Sequence, residues 1–478
     1  MIEIKGKNVT VVGLARSGTG AANLLAELGA RVTVTDTKTG EELRDFVPRL
    51  NPAIEIALGS HPEDIFLSAG MVVVSPGVPL GIPPILRAKS KGVPILGELE
   101  LAYQVVTYGS YDPPNRPLLK GGKGGFLAVT GANGKSTTTA LLDFMMKKGG
   151  FKTILGGNIG NALTEEILKI IGSRETVDYI VAEVSSFQLE SIKDFRPKVA
   201  AIVNITPDHL DRYHSLEEYS AAKARVFENQ REDDFLVLNR DDPETMKLYN
   251  SKFKIQNSKL PRCFFFSRKQ EVEGLYLKNG MVSCNLSQLA SRPFPIIKAE
   301  EIKIKGVHNL ENAMAASAMA LLAGCPLEAV IDSVKEFPGL EHRLEFVREL
   351  GGVLYFNDSK GTNVGAVVKS LESFSMPVIL IAGGRDKAGD FSQLRDLVRE
   401  RVKALILIGE AGEKIKKVLG DLKDTVMAKD LKDAIHRART LAERGDTVLL
   451  SPACASFDMF ANFEDRGRQF KGIVREMK

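Results

Sequence analysis

The sequence lacks several features that mark large classes of proteins. Its four cysteines lie far apart and form no C-x-x-C pair, which argues against a disulfide framework and a cysteine zinc site. No apolar run approaches the roughly 20 residues that cross a bilayer. No segment typical of a secretory signal precedes the first predicted strand, Val9–Val12. We therefore expect a soluble, cytoplasmic protein in a reducing compartment.

The chain also lacks a long block of like charge. A net charge of +4 is spread over 478 residues, with acidic residues interleaved almost everywhere. A nucleic-acid surface is therefore not predicted, and the small positive excess suits anionic small ligands. The hydrophobic content of 44% is ordinary for a globular enzyme. The length is compatible with about three domains.

Apolar runs alternate with helical patterns through three segments of the chain. Because parallel strands buried on both faces form continuous apolar runs, we predict an α/β protein with three domains and mostly parallel sheets. The predicted domains are a Rossmann-like domain (residues 1–97), a central P-loop ATPase-like domain (98–338) and a second Rossmann-like domain (339–478). Residues 107–125 are rich in Gly, Pro and Lys and are predicted to be a loop or linker.

The most informative motif is T-G-A-N-G-K-S-T, Thr130 to Thr137, which follows an apolar strand and opens a helical pattern. A glycine turn there points backbone N–H groups at phosphate oxygens, Lys135 can reach the β- and γ-phosphates, and Ser136 offers a hydroxyl to magnesium. Only two residues separate Gly131 from Gly134, so the loop is a short variant of the usual pattern. The motif predicts a bound nucleoside triphosphate; an ordinary strand–helix turn is the alternative.

Two further polar groups follow strands of the same predicted sheet. Glu183 ends an apolar strand, where a carboxylate is costly unless it is paired or holds a metal such as magnesium. His209, in N-I-T-P-D-H-L-D, follows the next strand and could ligate a second metal or orient a carboxyl substrate. A purely structural role is the alternative for both residues.

Lys223 lies on a helix that the S-x-x-E pair of Ser215 and Glu218 is predicted to begin. It shares the inward stripe of that helix with Tyr219 and Val226. Burial lowers the pKa of a lysine, and a neutral amine can react with carbon dioxide to give a carbamate, an anionic metal ligand. The alternative is a lysine with a buried stem and its ammonium in solvent, which spacing by itself favours.

The first segment has the order strand, glycine-rich loop, helix and strand, with G-L-A-R-S-G-T-G at Gly13 to Gly20 and Asp36 after the second strand. This order is typical of dinucleotide-binding folds, although Ala15 replaces the middle glycine of G-x-G-x-x-G. The loop S-P-G-V-P, Ser75 to Pro79, follows another strand of this sheet. Together they predict a nucleotide-like ligand, with a structural turn as the alternative.

Polar loops also follow the strands of the third segment. Because right-handed crossovers place the carboxyl ends of parallel strands at one edge, we expect these loops to form a site. Lys387 and Ser456 could bind a small dicarboxylate there, and Arg343, at the boundary into the segment, could clamp a phosphate when domains close. The loop motifs are N-D-S-K-G-T-N (357–363), G-G-R-D-K (383–387) and S-P-A-C-A-S-F (451–457), and a structural role is the alternative for each loop taken alone. Arg343 lies in E-H-R-L-E (341–345). Before the segment, G-V-H-N-L-E-N-A (306–313) is predicted to begin a helix, where the amides of Asn309 and Asn312 could read an adenine or a phosphate.

These motifs, in this order and over essentially the whole chain, resemble those of the Mur ligase family. Within that family, E-V-S-S-F-Q-L-E (183–190) and N-D-S-K-G-T-N are similar to the member that adds D-glutamate to UDP-N-acetylmuramoyl-L-alanine. The resemblance implies an ATP-dependent amide ligase of peptidoglycan precursor synthesis that works through an acyl phosphate. It implies two magnesium ions, a monomer, and small-molecule substrates only.

The resemblance also implies roles for individual residues. The implied catalytic residues are Lys135, Glu183, His209, Lys223, Arg343 and Lys360. The implied metal ligands are Ser136, Glu183, His209 and a carbamylated Lys223. The implied ATP contacts are Gly131, Ala132, Asn133, Gly134, Lys135, Ser136, Thr137, Thr138, Asn309, Arg343 and Asp358. The implied UDP-sugar contacts are Gly13, Leu14, Ala15, Arg16, Ser17, Asp36, Thr37, Gly77, Asn158 and His209. The implied D-glutamate pocket comprises Lys360, Thr362, Lys387, Ser456 and Phe463.

Three alternative functions are considered beside this hypothesis. They are a related ligase that adds glutamate to folate, an NAD-dependent dehydrogenase suggested by the Gly13 loop, and a non-catalytic P-loop switch that binds a protein. The UDP-type loops of the first segment argue against the folate enzyme. The missing middle glycine argues against the dehydrogenase, and the polar loops of the third segment argue against the switch.

Overall fold

The structure is a computed structural model that describes residues 4–108, 118–119, 124–208, 212–253, 260–374, 377–387 and 389–477. These residues form three sheets connected by helices, and the predicted α/β class with mostly parallel sheets is confirmed. They divide into two compact units. One unit holds the first two sheets, and the other holds the third sheet together with residues 206–208 and 299–312. No helix within the described ranges is both long and apolar enough to cross a bilayer.

The first sheet has five parallel strands in the order β3-β2-β1-β4-β5. Its strands are β1 (Asn8–Val12), β2 (Arg31–Asp36), β3 (Glu55–Leu58), β4 (Met71–Val74) and β5 (Ile95–Gly97), and its helices are α1 (Arg16–Glu27), α2 (Glu63–Leu67), α3 (Pro83–Ser90) and α4 (Glu98–Tyr108). The strand order reverses between β1 and β4. Ligands of open α/β sheets bind at such a point, and both polar loops predicted in this segment follow these two strands.

The second sheet has nine strands in the order β14-β13-β12-β11-β10-β9-β6-β8-β7. Its strands are β6 (Gly125–Thr130), β7 (Thr153–Gly157), β8 (Tyr179–Glu183), β9 (Val199–Ile202), β10 (Phe235–Asn239), β11 (Arg262–Ser267), β12 (Gly274–Lys278), β13 (Met281–Asn285) and β14 (Phe294–Lys298). The helices of this part of the chain are α5 (Lys135–Lys148), α6 (Leu163–Ser173), α7 (Ser186–Leu189), α8 (Leu216–Ala224), α9 (Pro243–Phe253), α10 (Val307–Leu322) and α11 (Leu327–Glu336). Strand β6 lies between β8 and β9, so the motifs that follow these three strands share one edge.

The third sheet has six strands in the order β15-β16-β20-β17-β18-β19, and only the pairing of β15 with β16 is antiparallel. Its strands are β15 (Glu345–Leu350), β16 (Val353–Asn357), β17 (Val378–Gly383), β18 (Val402–Ile408), β19 (Asp424–Met427) and β20 (Thr447–Leu450), and its helices are α12 (Val364–Glu372), α13 (Arg395–Arg401), α14 (Gly412–Leu419), α15 (Leu431–Leu441) and α16 (Phe463–Glu476). The loops after β16, β20 and β17 therefore lie side by side.

The predicted linker at residues 107–125 is too long at both ends. Helix α4 continues through Thr107 and Tyr108, and β6 already includes Gly125. Helix α4 extends because its inner face is apolar and packs on the second sheet. Its Tyr103 ring lies 5.6 Å from the rings of both Phe126 and Phe195. Most of the remaining linker lies outside the described residues.

Glu100 anchors α4 to the segment that precedes β9. Its buried carboxylate accepts the backbone N–H groups of Lys193 (2.8 Å), Asp194 (3.0 Å) and Phe195 (3.0 Å), and also the side-chain amide of Gln104. A buried carboxylate is costly without such donors, and here three of the donors come from the segment that leads into β9 of the second sheet. Glu100 therefore holds the first two sheets together within their unit.

We expect Glu100→Gln to lower the free energy of unfolding by about 2–4 kcal/mol, because the new amide would face backbone N–H donors with a donor of its own. Urea unfolding followed by circular dichroism measures this change. The matched control is Glu63→Gln, which breaks an exposed pair with Arg87 and should change the stability by less than about 0.5 kcal/mol. Equal effects of the two substitutions would contradict the anchoring role of Glu100.

Candidate active site

The phosphate loop is the turn between β6 and α5. Gly131 and Gly134 have φ angles of 147° and 83°, which side chains with a Cβ rarely adopt. A Cβ on Gly131 would also lie 2.5 Å from a methyl group of Val203, at the end of the neighbouring strand. The loop conformation therefore requires glycine at both positions. Helix α5 begins at Lys135, so its first N–H groups are available at the loop.

Asn204, which follows β9, holds this loop in place. Its side chain accepts the N–H of Asn133 at 2.8 Å and donates to the carbonyl of Asn133 at 2.9 Å. Its own carbonyl accepts the N–H of Ala132 at 3.0 Å. The ammonium of Lys135 donates to the carbonyl of Ala132 at 2.7 Å, while Ser136, Thr137 and Thr138 are buried at the start of α5.

Glu183 ends β8, directly beside Val129 of β6, and its side chain is 2% exposed. The amide of Asn158 donates to its Oε1 at 2.6 Å, and the N–H of Asn158 donates to its carbonyl at 2.9 Å. A buried carboxylate and the hydroxyl of Ser136 at one sheet edge are the hard oxygen donors that magnesium prefers. The residues present thus fit a magnesium ion.

Lys223 points into the interior of its unit. It is 1% exposed, its Nζ donates to the carbonyl of Gly131 at 2.8 Å, and the same atom lies 4.3 Å from the centre of the Tyr219 ring. The prediction that it lies on the inward stripe is confirmed, and the alternative of an ammonium in solvent is wrong. Spacing misled here because it cannot show that a second element covers this helix face.

The S-x-x-E prediction for the start of α8 is confirmed only in part. Ser215 accepts the N–H of Glu218 at 3.2 Å, but Glu218 accepts the N–H of His214, one residue before the position of a reciprocal capping box. His209, the other predicted ligand of a second metal, lies outside the described residues. Elsewhere in the described chain, no three His, Cys, Asp or Glu side chains cluster as a metal site.

The two predicted loops of the first sheet contact each other. Ser75 donates its hydroxyl to the carbonyl of Gly13 at 2.8 Å, and a Cβ on Gly18 would lie 1.9 Å from that carbonyl. Asp36 accepts the N–H of Leu14 at 2.7 Å and so fixes the glycine-rich loop. Gly77 lies in the second of these loops, and Thr37 directly follows Asp36 at the end of β2. A Cβ on Gly77 would meet no atom within 4 Å, so space remains there.

Arg16 connects the first sheet to the second. Its guanidinium donates to the carbonyl of Gly160 at 2.5 Å, in the loop that also carries Asn158. Ala15 is the N-cap of α1 and has no side-chain capping bond, and Ser17 lies in the first turn of that helix. The glycine-rich loop therefore reaches, through Arg16, the segment that contacts Glu183.

Arg343 lies in a strained backbone segment of the second unit. Its neighbours His342 and Leu344 have φ angles of 66° and 42°, which cost free energy in residues with a Cβ. The strained conformation is held by contacts from the carboxyl end of β16. Asn357 Nδ2 lies 2.9 Å from His342 Nδ1, and the N–H of Leu344 donates to Asp358 Oδ1 at 3.3 Å. Such outliers cluster at functional sites.

Asp358 is buried in the same unit. Its Oδ2 accepts the hydroxyls of Ser370 and Ser451, each at 2.7 Å. Burial raises the pKa of this carboxyl to about 6, although the two hydroxyls, the charge of Arg343 and the N–H of Leu344 lower it. Asn309, on α10, is also buried and donates to the carbonyl of Lys305 at 2.8 Å.

The three loops of the third sheet are hydrogen-bonded to one another at its edge. Ala453 donates to the carbonyl of Gly361 at 2.8 Å, and Arg385 donates to the carbonyl of Ala455 at 2.9 Å. The predicted glutamate residues Lys360, Thr362, Lys387 and Ser456 lie in these loops. Phe463 begins α16, and its ring centre lies 4.6 Å from Lys360 Nζ. The expectation that these loops share an edge is confirmed; their ligand stays a prediction.

Two residues that shape these sites were not predicted from the sequence. Asn204 begins the motif that contains His209. Its position shortly after a strand beside β6 is the sequence feature that could have predicted its contact with the phosphate loop. Arg466 of α16 is fully buried and donates to the hydroxyl (2.9 Å) and the carbonyl (2.8 Å) of Ser359. Burial lowers its pKa to about 10. No pattern in the sequence distinguishes it from an exposed helix arginine.

Comparison with known proteins confirms the resemblance to the Mur ligase family for the regions of all three sheets. Models of the Mur ligase MurD-like N-terminal domain, the Mur ligase middle domain and the Mur ligase glutamate ligase domain match residues 7–97, 129–320 and 342–454. The UDP-N-acetylmuramoylalanine–D-glutamate ligase of Geotalea daltonii is 46% identical over 100% of this chain and 99% of its own. The ligase of that name from Caldanaerobacter subterraneus is 42% identical over the full length of both chains.

Solved structures share the fold at low sequence identity. A pseudomurein peptide ligase type C from Methanothermus fervidus has a TM-score of 0.60 at 18% identity and covers 99% of this chain and 100% of its own. The MurF ligase from Thermotoga maritima in complex with ADP has a TM-score of 0.60 at 15% identity, with 99% and 96% of the two chains covered. At these identities the likeness concerns the fold alone.

The raised pKa of Asp358 predicts a pH-dependent stability. Because the folded pKa is about 6 and the ordinary value is 3.8, the carboxyl's contribution is fully present below pH 3.8 and is lost as the pH rises through about 6. At about 1.4 kcal/mol per pKa unit, the loss approaches 3 kcal/mol. We expect Asp358→Asn to remove this loss of stability with rising pH.

Hydrogen–deuterium exchange of peptides from β16 and β20, compared between the two proteins at each pH, measures this difference. The control is Asp421→Asn, whose exposed carboxylate pairs with Arg395 and has a lowered pKa. If the wild type and Asp358→Asn kept a constant difference between pH 4 and 7, the assignment of Asp358 as the titrating group would be wrong.

Proposed function

The chain belongs to the Mur ligase family, and we propose that it joins D-glutamate to UDP-N-acetylmuramoyl-L-alanine in an ATP-dependent reaction of peptidoglycan precursor synthesis. One observation carries the proposal. A phosphate loop and a buried carboxylate end adjacent strands of the central sheet, in a chain that is similar over its full length to ligases of that name. The proposal includes three domains, at residues 1–97, 98–338 and 339–478, and a monomeric protein.

On the ATP side, the backbone N–H groups of the phosphate loop and the first turn of α5 bind the phosphates. Lys135 would exchange its contact with Ala132 for the β- and γ-phosphates. Ser136 and Glu183 would hold magnesium, which when bound neutralises phosphate charge during transfer. Asn309, Arg343 and Asp358 are proposed as further ATP contacts.

Lys223 and His209 are proposed for a second magnesium site. The neutral amine of Lys223 would add to carbon dioxide: its lone pair forms an N–C bond, one C=O π bond becomes an anionic oxygen, and a proton leaves nitrogen for solvent. The support is burial, since an interior position favours the uncharged amine that reacts with carbon dioxide, and a bound magnesium ion would balance the charge of the carbamate.

The other substrates are assigned to the remaining loops. The UDP-sugar is proposed to bind the Gly13 loop, Asp36, Thr37 and Gly77, at the reversal point of the first sheet, with Asn158 near the sugar. D-Glutamate is proposed to bind Lys360, Thr362, Lys387, Ser456 and Phe463. Their three loops meet at one sheet edge, and two ammonium groups there suit a dicarboxylate.

The reaction itself consists of two transfers. The alanyl carboxylate attacks the γ-phosphorus, so that an O–P bond forms, the β,γ-bridging bond breaks and ADP leaves. The amine of D-glutamate then attacks the acyl carbon, the tetrahedral intermediate expels phosphate, and the amine proton goes to solvent. Lys135 and Arg343 would neutralise the charge that builds up on the phosphoryl oxygens, and much of the catalysis would be positioning.

We expect ADP release only when UDP-N-acetylmuramoyl-L-alanine, ATP, magnesium and D-glutamate are all present. Lys135→Ala should lower kcat by roughly 100-fold or more, because it removes a charge directed at the phosphates. Lys148→Ala, an exposed lysine at the other end of α5, is the matched control and should retain activity.

A coupled ADP assay with a panel of amino acids measures both effects. Release with L-glutamate and a folate acceptor would instead support the folate-type ligase, and nicotinamide binding in a fluorescence titration would support a dehydrogenase. Absence of D-glutamate-dependent release in the wild type would refute the proposal.

The carbamate has its own test. We expect Lys223→Ala to lose activity and to regain part of it when short-chain carboxylates such as acetate or formate are added, because they replace the missing oxygen ligand. The same salts should not rescue Lys135→Ala, which lacks a cation. Full activity of Lys223→Ala, or no rescue by any carboxylate, would remove the carbamate from the mechanism.

A further inference from the structure

Arg212 has no role in the function proposed above, yet it contacts both sheets of its unit. One guanidinium nitrogen donates to the carbonyl of Pro76 at 3.2 Å, and another donates to Glu190 Oε2 at 2.6 Å. The guanidinium carbon also lies 4.2 Å from the centre of the Phe187 ring. Pro76 lies between Ser75, which binds the Gly13 carbonyl, and Gly77, so this arginine reaches the loops assigned to the UDP-sugar.

Glu190, the partner of Arg212, is held from several sides. Its Oε1 accepts the hydroxyl of Tyr213 at 2.5 Å, and its carbonyl accepts a guanidinium N–H of Arg225 at 2.6 Å. Glu190 directly follows α7. A capping box between Ser185 and Gln188 closes the first turn of this helix, and Ser185 lies two residues after Glu183. These contacts connect Arg212 to α7, which follows the strand that ends in Glu183.

The contacts continue from Glu190 to the phosphate loop. The ring of Tyr213 stacks on Phe187 with centres 5.9 Å apart and packs against Tyr219 at 5.2 Å. Lys223 Nζ lies over the Tyr219 ring at 4.3 Å and donates to the carbonyl of Gly131 at 2.8 Å. An unbroken series of contacts thus runs from the carbonyl of Pro76 to the carbonyl of Gly131.

We propose that Arg212 is a positioning residue that couples UDP-sugar binding at the first sheet to ATP binding at the central sheet. The inference rests on the proposed function, since it takes both ligands from it. UDP-sugar binding against Gly77 fixes Pro76 and thereby Arg212, whose planar guanidinium spans Pro76 and Glu190 with two different nitrogens. The face of the same group packs on the Phe187 ring. Glu190 and Tyr213 then hold Tyr219 and Lys223 in the positions that support Gly131.

A purely structural ion pair is the competing explanation, and stability alone does not separate the two. An ion pair at this degree of exposure contributes little to stability, whether or not it also couples two sites. A coupling role adds a property that a structural pair lacks: the affinity for one ligand changes when the other is bound, by the same factor in both directions. The test therefore measures that factor.

The experiment uses calorimetry with UDP-N-acetylmuramoyl-L-alanine and a non-hydrolysable ATP analogue, each titrated with and without the other. In the wild type we expect each ligand to raise the affinity for the other about fivefold or more. In Arg212→Gln this factor should fall to about one, while ATP-analogue binding alone stays within twofold. Arg212→Lys should give an intermediate factor, since lysine keeps the charge but not the fork.

Arg196→Gln is the matched control. The Arg196 side chain is 25% exposed, against 22% for Arg212, and it also pairs with carboxylates, those of Asp233 and Asp234. Arg196 precedes β9, whereas the phosphate loop lies at the other end of that strand. It should keep the wild-type coupling factor. Thermal unfolding verifies that the variants are folded. If Arg212→Gln does not fold, the coupling factor of Arg212→Lys decides between the two explanations.

The outcomes separate this inference from the proposed function. A wild type that binds both ligands without coupling, or an Arg212→Gln protein that keeps the wild-type factor, overturns the role of Arg212 and leaves the ligase assignment intact. A wild type that does not bind UDP-N-acetylmuramoyl-L-alanine overturns both. A double-mutant cycle with Glu190→Gln should show non-additive loss of coupling, and additive losses would also contradict the proposal.

Discussion

The phosphate loop is held by both strands that flank β6, and the rest of the central site depends on this. On one side, Asn204 binds the backbone of Asn133 twice and Val203 leaves no room for a side chain on Gly131. On the other side, the N–H of Val184, the residue after Glu183, donates to the carbonyl of Val129 at 2.9 Å, just before the loop begins. Because β6 is an interior parallel strand, both supports lie at the same sheet edge as the loop itself.

Buried polar and charged groups fix the positions of several loops and connecting segments. Glu100 collects backbone N–H groups, Asp358 collects hydroxyls, and Arg466 donates to the loops that carry the glutamate residues. Burying such groups costs free energy, which the hydrogen bonds offset only when every partner is correctly placed. Each group therefore fixes the geometry of the segment that it contacts, beyond what apolar packing specifies.

Some of this architecture could be predicted from sequence, and the reason differs from element to element. Central strands such as β6 and β8 are buried on both faces, so they are recognisable as apolar runs. Strands β12 to β14, at one end of the central sheet, and the edge strand β15 form antiparallel pairs, carry mixed polar and apolar residues, and were not predicted. The first turn of α8 shows the same limit, since Ser215 was identified correctly while the partner of Glu218 depends on where the preceding backbone runs.

What the sequence by itself determined is the chemistry of each strand end: which loops carry glycine, lysine, serine or carboxylates, and in which order along the chain. These features are local, since they depend on residue type, turn requirements and hydrophobic period. Only the tertiary structure decided that Lys223 is enclosed, that Asn204 supports the phosphate loop, and that Arg212 touches two sheets. Burial and long-range contact are properties of strand order and of the surfaces that pack together, and no residue carries that information alone.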